Sequence, residues 1–243
     1  MPFRALFELD QRLEEVRALQ SLNPVAVGSL PATRSAARAD TAVNRASVVL
    51  LCSHLEAFVE QLLSEGVDTL LSSPLPCDRI SNQLRYRHGI RGVREVAEIS
   101  SADSFARSFA GLISKNSALL TSEMVRRQDV DADLLCQDFA DPKPDKIFGL
   151  FAVLGVSRRE MLAAFGSYRL SQAVIARVDS LVSVRHEIAH GGSLQATRGD
   201  VVGYLAAVRL LGSHLDLAVG NQVRLLRAGP GKQKKGLFAR RKV

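Results

Sequence analysis

Tryptophan is absent from this 243-residue chain, tyrosine occurs three times, and aromatic residues make up 5% of it. Aromatic packing therefore cannot build the interior. Aliphatic side chains must do so, and an apolar content of 47% is enough to fill a core without staples. Cysteine is almost as scarce. Cys52, Cys77 and Cys136 are odd in number and contain no C-x-x-C pair, which argues against a disulfide framework and a zinc knuckle and for a reduced, intracellular setting. The first residues mix Arg, Glu and Asp into their apolar positions, so no signal-peptide core stands out. No stretch reads as a long uncharged membrane span. The expectation is a cytoplasmic protein without a membrane partner.

What the chain has in excess is positive charge, +7 in total, and its placement matters more than its size. Lys232, Lys234, Lys235, Arg240, Arg241 and Lys242 lie beyond Ala228 with no acidic residue among them, leaving the body nearly neutral. Gly229-Pro230-Gly231 opens that tail. Residues 228–243 are expected to be a disordered basic end, either solubilising or RNA-tethering.

Helical periodicity dominates residues 1–227, and no alternating run reads as a strand, so the class is all-α. Phe3–Leu22 is a first amphipathic helix, stopped at Asn23-Pro24 and followed by a loop to about Ala39. From Thr41 to about Leu71, the positions Val48, Leu51, Leu55, Phe58, Val59 and Leu62 recur at three- and four-residue steps. Two further helices close the body, at 171–190 and 198–226, the latter opened by a capping box, Thr197-x-x-Asp200. Residues 72–170 form a helical insert broken by Pro74, Pro76, Gly89, Gly92, Pro142 and Pro144, with helices expected near Ile80–Arg87 and Asp103–Leu120. Pro144 suits the first turn of a helix that Gly155 stops, and Ser157-x-x-Glu160 opens another.

The chemistry concentrates in Arg185-His186-Glu187-Ile188-Ala189-His190-Gly191. At about 100° per residue, Val174, Val178, Leu181, Val182, Ile188 and Ala189 form one apolar stripe, and Arg185 falls inside it. A guanidinium cannot be deprotonated in practice, so this position requires a partner, a cleft or an anion. His186 and His190 share the stripe's edge, while Glu187 points to solvent. Arg185 and His190, about 140° apart, converge only if Arg185 reaches around or a second helix completes the cleft, as a symmetric dimer would provide. Glycine just past His190 can take the left-handed conformation that ends the helix. His186 and His190 have the spacing of two zinc ligands, but neither a His-Glu-x-x-His motif nor a third ligand is expected to accompany them, and no cofactor or metal is expected.

A fixed cation beside titratable imidazoles suits phosphoryl transfer. RNA supplies its own nucleophile: once its 2′-OH is deprotonated it can attack the adjacent phosphate without a metal. Arg185-x4-His190 at a helix end resembles the R-x4-6-H signature of the HEPN superfamily of helical ribonucleases. The segment from Arg45 to Glu60 resembles an early helix of that family, with Glu56 near the site, and Thr197–Leu217 resembles its closing helix. The arrangement is most like the RiboL-PSP type. The resemblance implies an antiparallel helical bundle and a metal-independent endoribonuclease, working as a homodimer whose protomers share a cleft. It implies that Arg185 holds phosphate, that His190 is general base or acid, and that His186 fills the polar slot after the arginine. Glu56 would orient Arg185 or a histidine, or form a plain salt bridge. A toxin or phage-defence role with an antitoxin partner is a further implication. The tyrosine that one subclass carries two residues after the histidine is Gly192 here.

Other readings compete. The same fold could be a non-catalytic dimer that binds RNA or protein, or a structural protein in which Arg185 pairs with Glu56. Arg85, Tyr86, Arg87, Arg91 and Arg94 could bind single-stranded RNA, as could Lys234, Lys235, Arg240 and Arg241, though a solvated basic face is the preferred reading of the former group. His54, His88 and His214 are expected to be structural or solvated, and the cysteines inert.

Overall fold

The computed structural model describes residues 2–25, 29–121, 123–192 and 196–229, and within them all side chains except those of 91, 115, 118, 120 and 121. The expected disorder of the basic tail, with Lys234, Lys235, Arg240 and Arg241, lies outside the described residues. Nine α-helices and one pair of two-residue strands are formed among the described residues. The chain packs as two compact units. One comprises Met1–Leu62, Phe139–Phe148 and Arg159–Leu217, the other Leu63–Asp138, Gly149–Arg158 and Ala218–Val243.

The first unit is a helical bundle. Helix α1 (Arg4–Ser21) buries Ala5, Leu9, Leu13, Val16 and Gln20, steps of three and four that line one face. Helix α2 (Arg34–Leu70) contributes Val48, Leu51, Leu55, Phe58, Val59 and Leu62, all fully buried. It starts before the expected Thr41 because Thr33 supplies a cap, its Oγ1 accepting from the amide of Ala36 at 3.1 Å. Helix α8 (Tyr168–Ala189) likewise begins earlier than expected, after the N-cap Ser167. Helix α9 (Arg198–Ala228) opens on the anticipated capping box: Asp200 accepts from the Thr197 amide at 3.1 Å and donates its own amide to Thr197 Oγ1 at 3.2 Å.

Two contacts give the direction of α2 against α8. Arg45 donates to the carbonyl of Ile188 and the Cys52 thiol faces the carbonyl of Leu181, so the helices run antiparallel. At Gly212 on α9, an added Cβ would lie 2.5 Å from Leu9 and 3.5 Å from Phe58, so this glycine permits the close packing of α9 on α1 and α2. A buried polar knot joins α1 to α2, with Gln20 Nε2 donating to Asn44 at 3.1 Å and to Ser47 at 2.9 Å.

In the second unit, α3 (Asn82–Ala97) packs on α4 (Ala102–Thr121), followed by α5 (Ala132–Cys136). Helix α3 runs through Gly89 and Gly92, which were expected to interrupt it. Gly92 is a site of close approach, since any Cβ there would collide with Leu112. Leu75–Pro76 pairs antiparallel with Met124–Val125, a bridge too short to leave an alternating signature. Helix α6 (Pro144–Phe151) starts at its proline, and Gly155 stops the turn that follows it with φ +75°. Helix α7 (Arg158–Ala163), which belongs to the first unit from Arg159 on, begins directly after Ser157.

In length and composition α2 and α9 correct one expectation. Each contains an 18-residue window apolar enough to cross a bilayer, with mean hydropathy 1.4 and 1.3. Half of the α2 window and 56% of the α9 window are buried inside the protein, which is how core helices of a bundle pass the same test.

Candidate active site at the end of helix α8

The site lies in the first unit, and its frame is the C-terminus of α8. Val174, Val178, Leu181 and Val182 are buried as the wheel requires, and Val184 joins them. The stripe stops there. Ile188 is half-buried and Ala189 exposed, contrary to expectation, because the helix is leaving the bundle where it ends. The termination is a Schellman motif: Gly191, at φ +75°, donates to Ile188 O at 3.3 Å, and Gly192 donates to Glu187 O at 2.8 Å. This bonding holds His190 as the C-cap, immediately after the last helical residue.

Arg185 is half-buried. Among the described residues its guanidinium makes no hydrogen bond and no ion pair. Its charge is nevertheless felt across to α2. Burial pushes the Glu56 carboxyl above its ordinary value, Arg185 pulls it back, and Asp141 pushes it up again. Burial also drives the Cys52 thiol up to about 12, with Arg185 opposing and Glu56 and Asp141 adding to the rise. Glu56 therefore faces Arg185 through the electric field rather than through a direct salt bridge.

His186 is half-buried and His190 exposed, their ring centroids 6.5 Å apart. His186 Nε2 lies 3.3 Å from Asp141 Oδ1. Asp141 is thereby a hub, since its Oδ2 accepts from Lys146 Nζ at 2.9 Å and lies 4.0 Å from Lys143 Nζ. Burial pushes the Asp141 carboxyl up, but the hydrogen bonds from Lys146 and His186 and the charges of the two lysines outweigh it, so it titrates below the ordinary range. At neutral pH it is an anion that fixes one edge of His186 and leaves Nδ1 as the ring's other position.

Arg185, His186, Glu56 and Asp141 thus gather around one helix end, with His190 at its tip. Asp141, Lys143 and Lys146 were missed in sequence, hidden in a segment read as an insert without motif. The available signal was Asp141-Pro142-Lys143-Pro144, charges alternating with two prolines that are both buried. Arg45 was also missed. Its Nη2 donates to Ile188 O at 3.4 Å, placing a second guanidinium by the end of α8.

Other candidates fall elsewhere. Arg85, Tyr86, Arg87 and Arg94 lie with Arg91 on α3 in the second unit. Arg85 is not part of a solvated face, because it donates inward to the carbonyl of Cys77. Tyr86 and Arg94 are exposed. His88 is structural: it is buried, bonded through Nδ1 to Asn116 at 2.9 Å and accepting at Nε2 from the Asp131 amide at 3.0 Å. His54 meets Glu15 at 3.3 Å, and His214 stacks on Phe165 with ring centroids 4.1 Å apart.

Contrary to the expectation above, the string His186-Glu187-Ile188-Ala189-His190 does match His-Glu-x-x-His, the spacing of zinc hydrolases. Its glutamate, however, is exposed and folds toward Gly192. Among the described residues no group of three His, Cys, Asp or Glu is placed to hold a metal.

An all-helical bundle carrying an Arg-x4-His constellation at a glycine-closed helix end defines the class. A family model for RiboL-PSP-HEPN matches residues 8–221, and the chain belongs to that family. No curated protein and no solved structure matches the chain.

Proposed function

We propose that this protein is a metal-independent endoribonuclease that cuts RNA by attack of the 2′-OH, leaving 2′,3′-cyclic phosphate and 5′-OH ends. The observation that carries the reading is Arg185: a half-buried guanidinium with its hydrogen-bond donors unpaired among the described residues, on the same helix end as His186 and His190. Such a group is suited to an anion that acquires charge, as the phosphorane of RNA cleavage does. In this mechanism one imidazole takes the 2′-OH proton as the O2′–P bond forms. The P–O5′ bond breaks with its electron pair moving to O5′, and the second imidazole or the same one returns a proton there. His190, exposed at the tip, is assigned the proton transfer. His186, tethered by Asp141, is assigned the supporting role, with Arg185 holding the phosphate and Glu56 tuning Arg185.

Arg185 and His190 diverge on the helix, so the active form is a homodimer in which a second copy completes the cleft. Cleavage inside the cell would arrest growth, which suits a toxin or phage-defence effector held in check by an antitoxin.

The test is cleavage of single-stranded RNA by purified protein in excess EDTA, with His190→Ala and Arg185→Ala as controls. Metal-independent cutting to cyclic phosphate ends, lost in both variants, supports the reading. Cutting abolished by EDTA and restored by zinc would favour the His-Glu-x-x-His alternative and overturn it. RNA binding without cleavage, unchanged in both variants, would leave a non-catalytic module.

A further inference from the structure

A second cationic feature lies in the second unit, where α9 ends. A cavity of about 380 Å³ is lined by Arg79, Arg224 and Arg227 together with Ser73, Pro76 and Ala228, and no carboxylate is among its lining residues. None of the three arginines forms an ion pair among the described residues. Arg127, Arg177 and Arg209, by contrast, each meet a carboxylate, in Asp68, Asp200 and Asp10.

Neutralising the negative end of α9 accounts for one of the three. Arg79 Nη1 donates to the terminal carbonyls of Leu226 and Arg227, both at 3.4 Å, and its guanidinium packs where a side chain on Gly229 would stand. Arg224 points back along the helix, donating to Gly220 O at 3.1 Å and to Asn221 Oδ1 at 2.6 Å. Arg227 makes no side-chain hydrogen bond among the described residues. Arg224 and Arg227 are both exposed and three residues apart on one helix, where like charges repel. Such clustering is unfavourable for the helix alone and favourable once a polyanion lies across it.

We propose that this cleft binds the phosphodiester backbone of RNA, as an anchoring site separate from the end of α8. The proposal rests on the ribonuclease reading for its choice of polyanion. The chain beyond the cleft supports the same choice, since Gly229 leads directly into Lys232, Lys234, Lys235, Arg240, Arg241 and Lys242. Guanidinium groups take phosphate oxygens in bidentate fashion, and a run of phosphates along a strand matches a run of cations along a chain. Anchoring of this kind contributes affinity without sequence information.

The experiment titrates full-length His190→Ala protein with a fluorescent single-stranded RNA of about 20 nucleotides across a salt series, then repeats it with Arg224→Gln/Arg227→Gln added. Arg79 is left intact because it caps α9. The expected result is about tenfold weaker binding near 0.15 M salt and, for two lost phosphate contacts, a slope of log affinity against log salt shallower by about 1.5. Circular dichroism melting is expected to be unchanged. An unchanged slope and affinity overturn the proposal. Inorganic phosphate, or poly-glutamate, competing as well as RNA would also overturn it, assigning the cleft to a free anion or an acidic protein. Cleavage of a dinucleotide, whose single phosphodiester leaves none for a separate anchor, is measured in parallel on the His190 protein with and without the double substitution. Absence of dinucleotide and RNA cleavage would defeat the ribonuclease reading while the salt slope still decides the anchor.

Discussion

The Nε2 of His186 lies 3.3 Å from Oδ1 of Asp141, and the other oxygen of the same carboxylate is held by Lys146 at 2.9 Å. A residue of the short segment before α6 therefore sets the orientation of an imidazole on α8. Asp141→Asn keeps the shape but loses the charge. Because the folded-state pKa of Asp141 is depressed, its contribution to stability is fully present above the unfolded value of about 3.9 and is lost as pH falls through the lower folded value. Urea midpoints measured between pH 3 and pH 6 are expected to fall less steeply toward acid in Asp141→Asn than in the parent. Parallel profiles would show that the carboxylate is not held as described.

Glu56 has the opposite sign. Its folded pKa is raised, first by burial and further by Asp141, so the stability it confers is present below the ordinary carboxyl value and declines as pH rises through the folded one. Arg185 is the group that restrains this rise. In Arg185→Ala the Glu56 carboxyl is expected to titrate higher still, read by carbon-detected NMR of the side-chain carboxyl. A Glu56 titration that stays put would mean that the guanidinium is not close enough to act on it.

Cys52 gives a test of the same cluster from its buried side. With its pKa pushed to about 12, chiefly by burial, the thiol is almost wholly protonated at pH 8. Exposure separates it further from reagents, for Cys52 is buried while Cys77 and Cys136 are half-buried. Thiol titration of native protein with a disulfide reagent at pH 8 is expected to leave Cys52 unmodified, as mapped by mass spectrometry, until denaturant is added. Rapid native labelling of Cys52 would contradict the packing of α2 on α8.

The parts of this architecture that were readable in the sequence are those governed by local rules. The periodicity of α1 and α2, the Thr197 capping box and the glycine closure after His190 each depend on residues within a turn or two of one another. What escaped depends on distance along the chain. Asp141 meets His186 across 45 residues, and Arg45 meets Ile188 across 143. Gly92 looked like a helix breaker because the reason for it, Leu112, sits on another helix. The outer end of the α8 stripe was misjudged for a related reason: a wheel carries no information about where the bundle stops, and Ile188 and Ala189 lie where it does.

Substituting the exposed His190 separates chemistry from folding. His190 is the C-cap of α8, but the bonds that close the helix there are all backbone, so truncating its exposed side chain shifts stability by roughly half a kcal/mol or less, whereas loss of a general acid or base lowers turnover by about 10² to 10⁴-fold. His190→Ala is expected to melt within about 2 °C of the parent and to lose RNA cleavage. Arg185→Lys retains the charge but not the planar, forked donors, so cleavage is expected to fall with little change in melting temperature. Full activity in Arg185→Lys would show that a point charge suffices and that phosphate is not gripped bidentately.

Gly191 joins stability to catalysis at a single backbone angle. Its φ of +75° lies in the left-handed region, and an added Cβ would meet no neighbour within 4 Å, so any penalty for substitution there comes from conformation alone. Gly191→Ala is expected to lower stability by about 1 kcal/mol, and Gly191→Asn by less, because Asn tolerates that region better. The Schellman bonds from Gly191 and Gly192 hold the His190 backbone in place, so a chain that leaves the left-handed conformation releases the residue that carries the imidazole. Cleavage is therefore expected to decline in the order Gly, Asn, Ala, in step with melting temperature. Activity that collapses equally in both variants while their stabilities differ would point instead to a direct role for the glycine backbone at the phosphate.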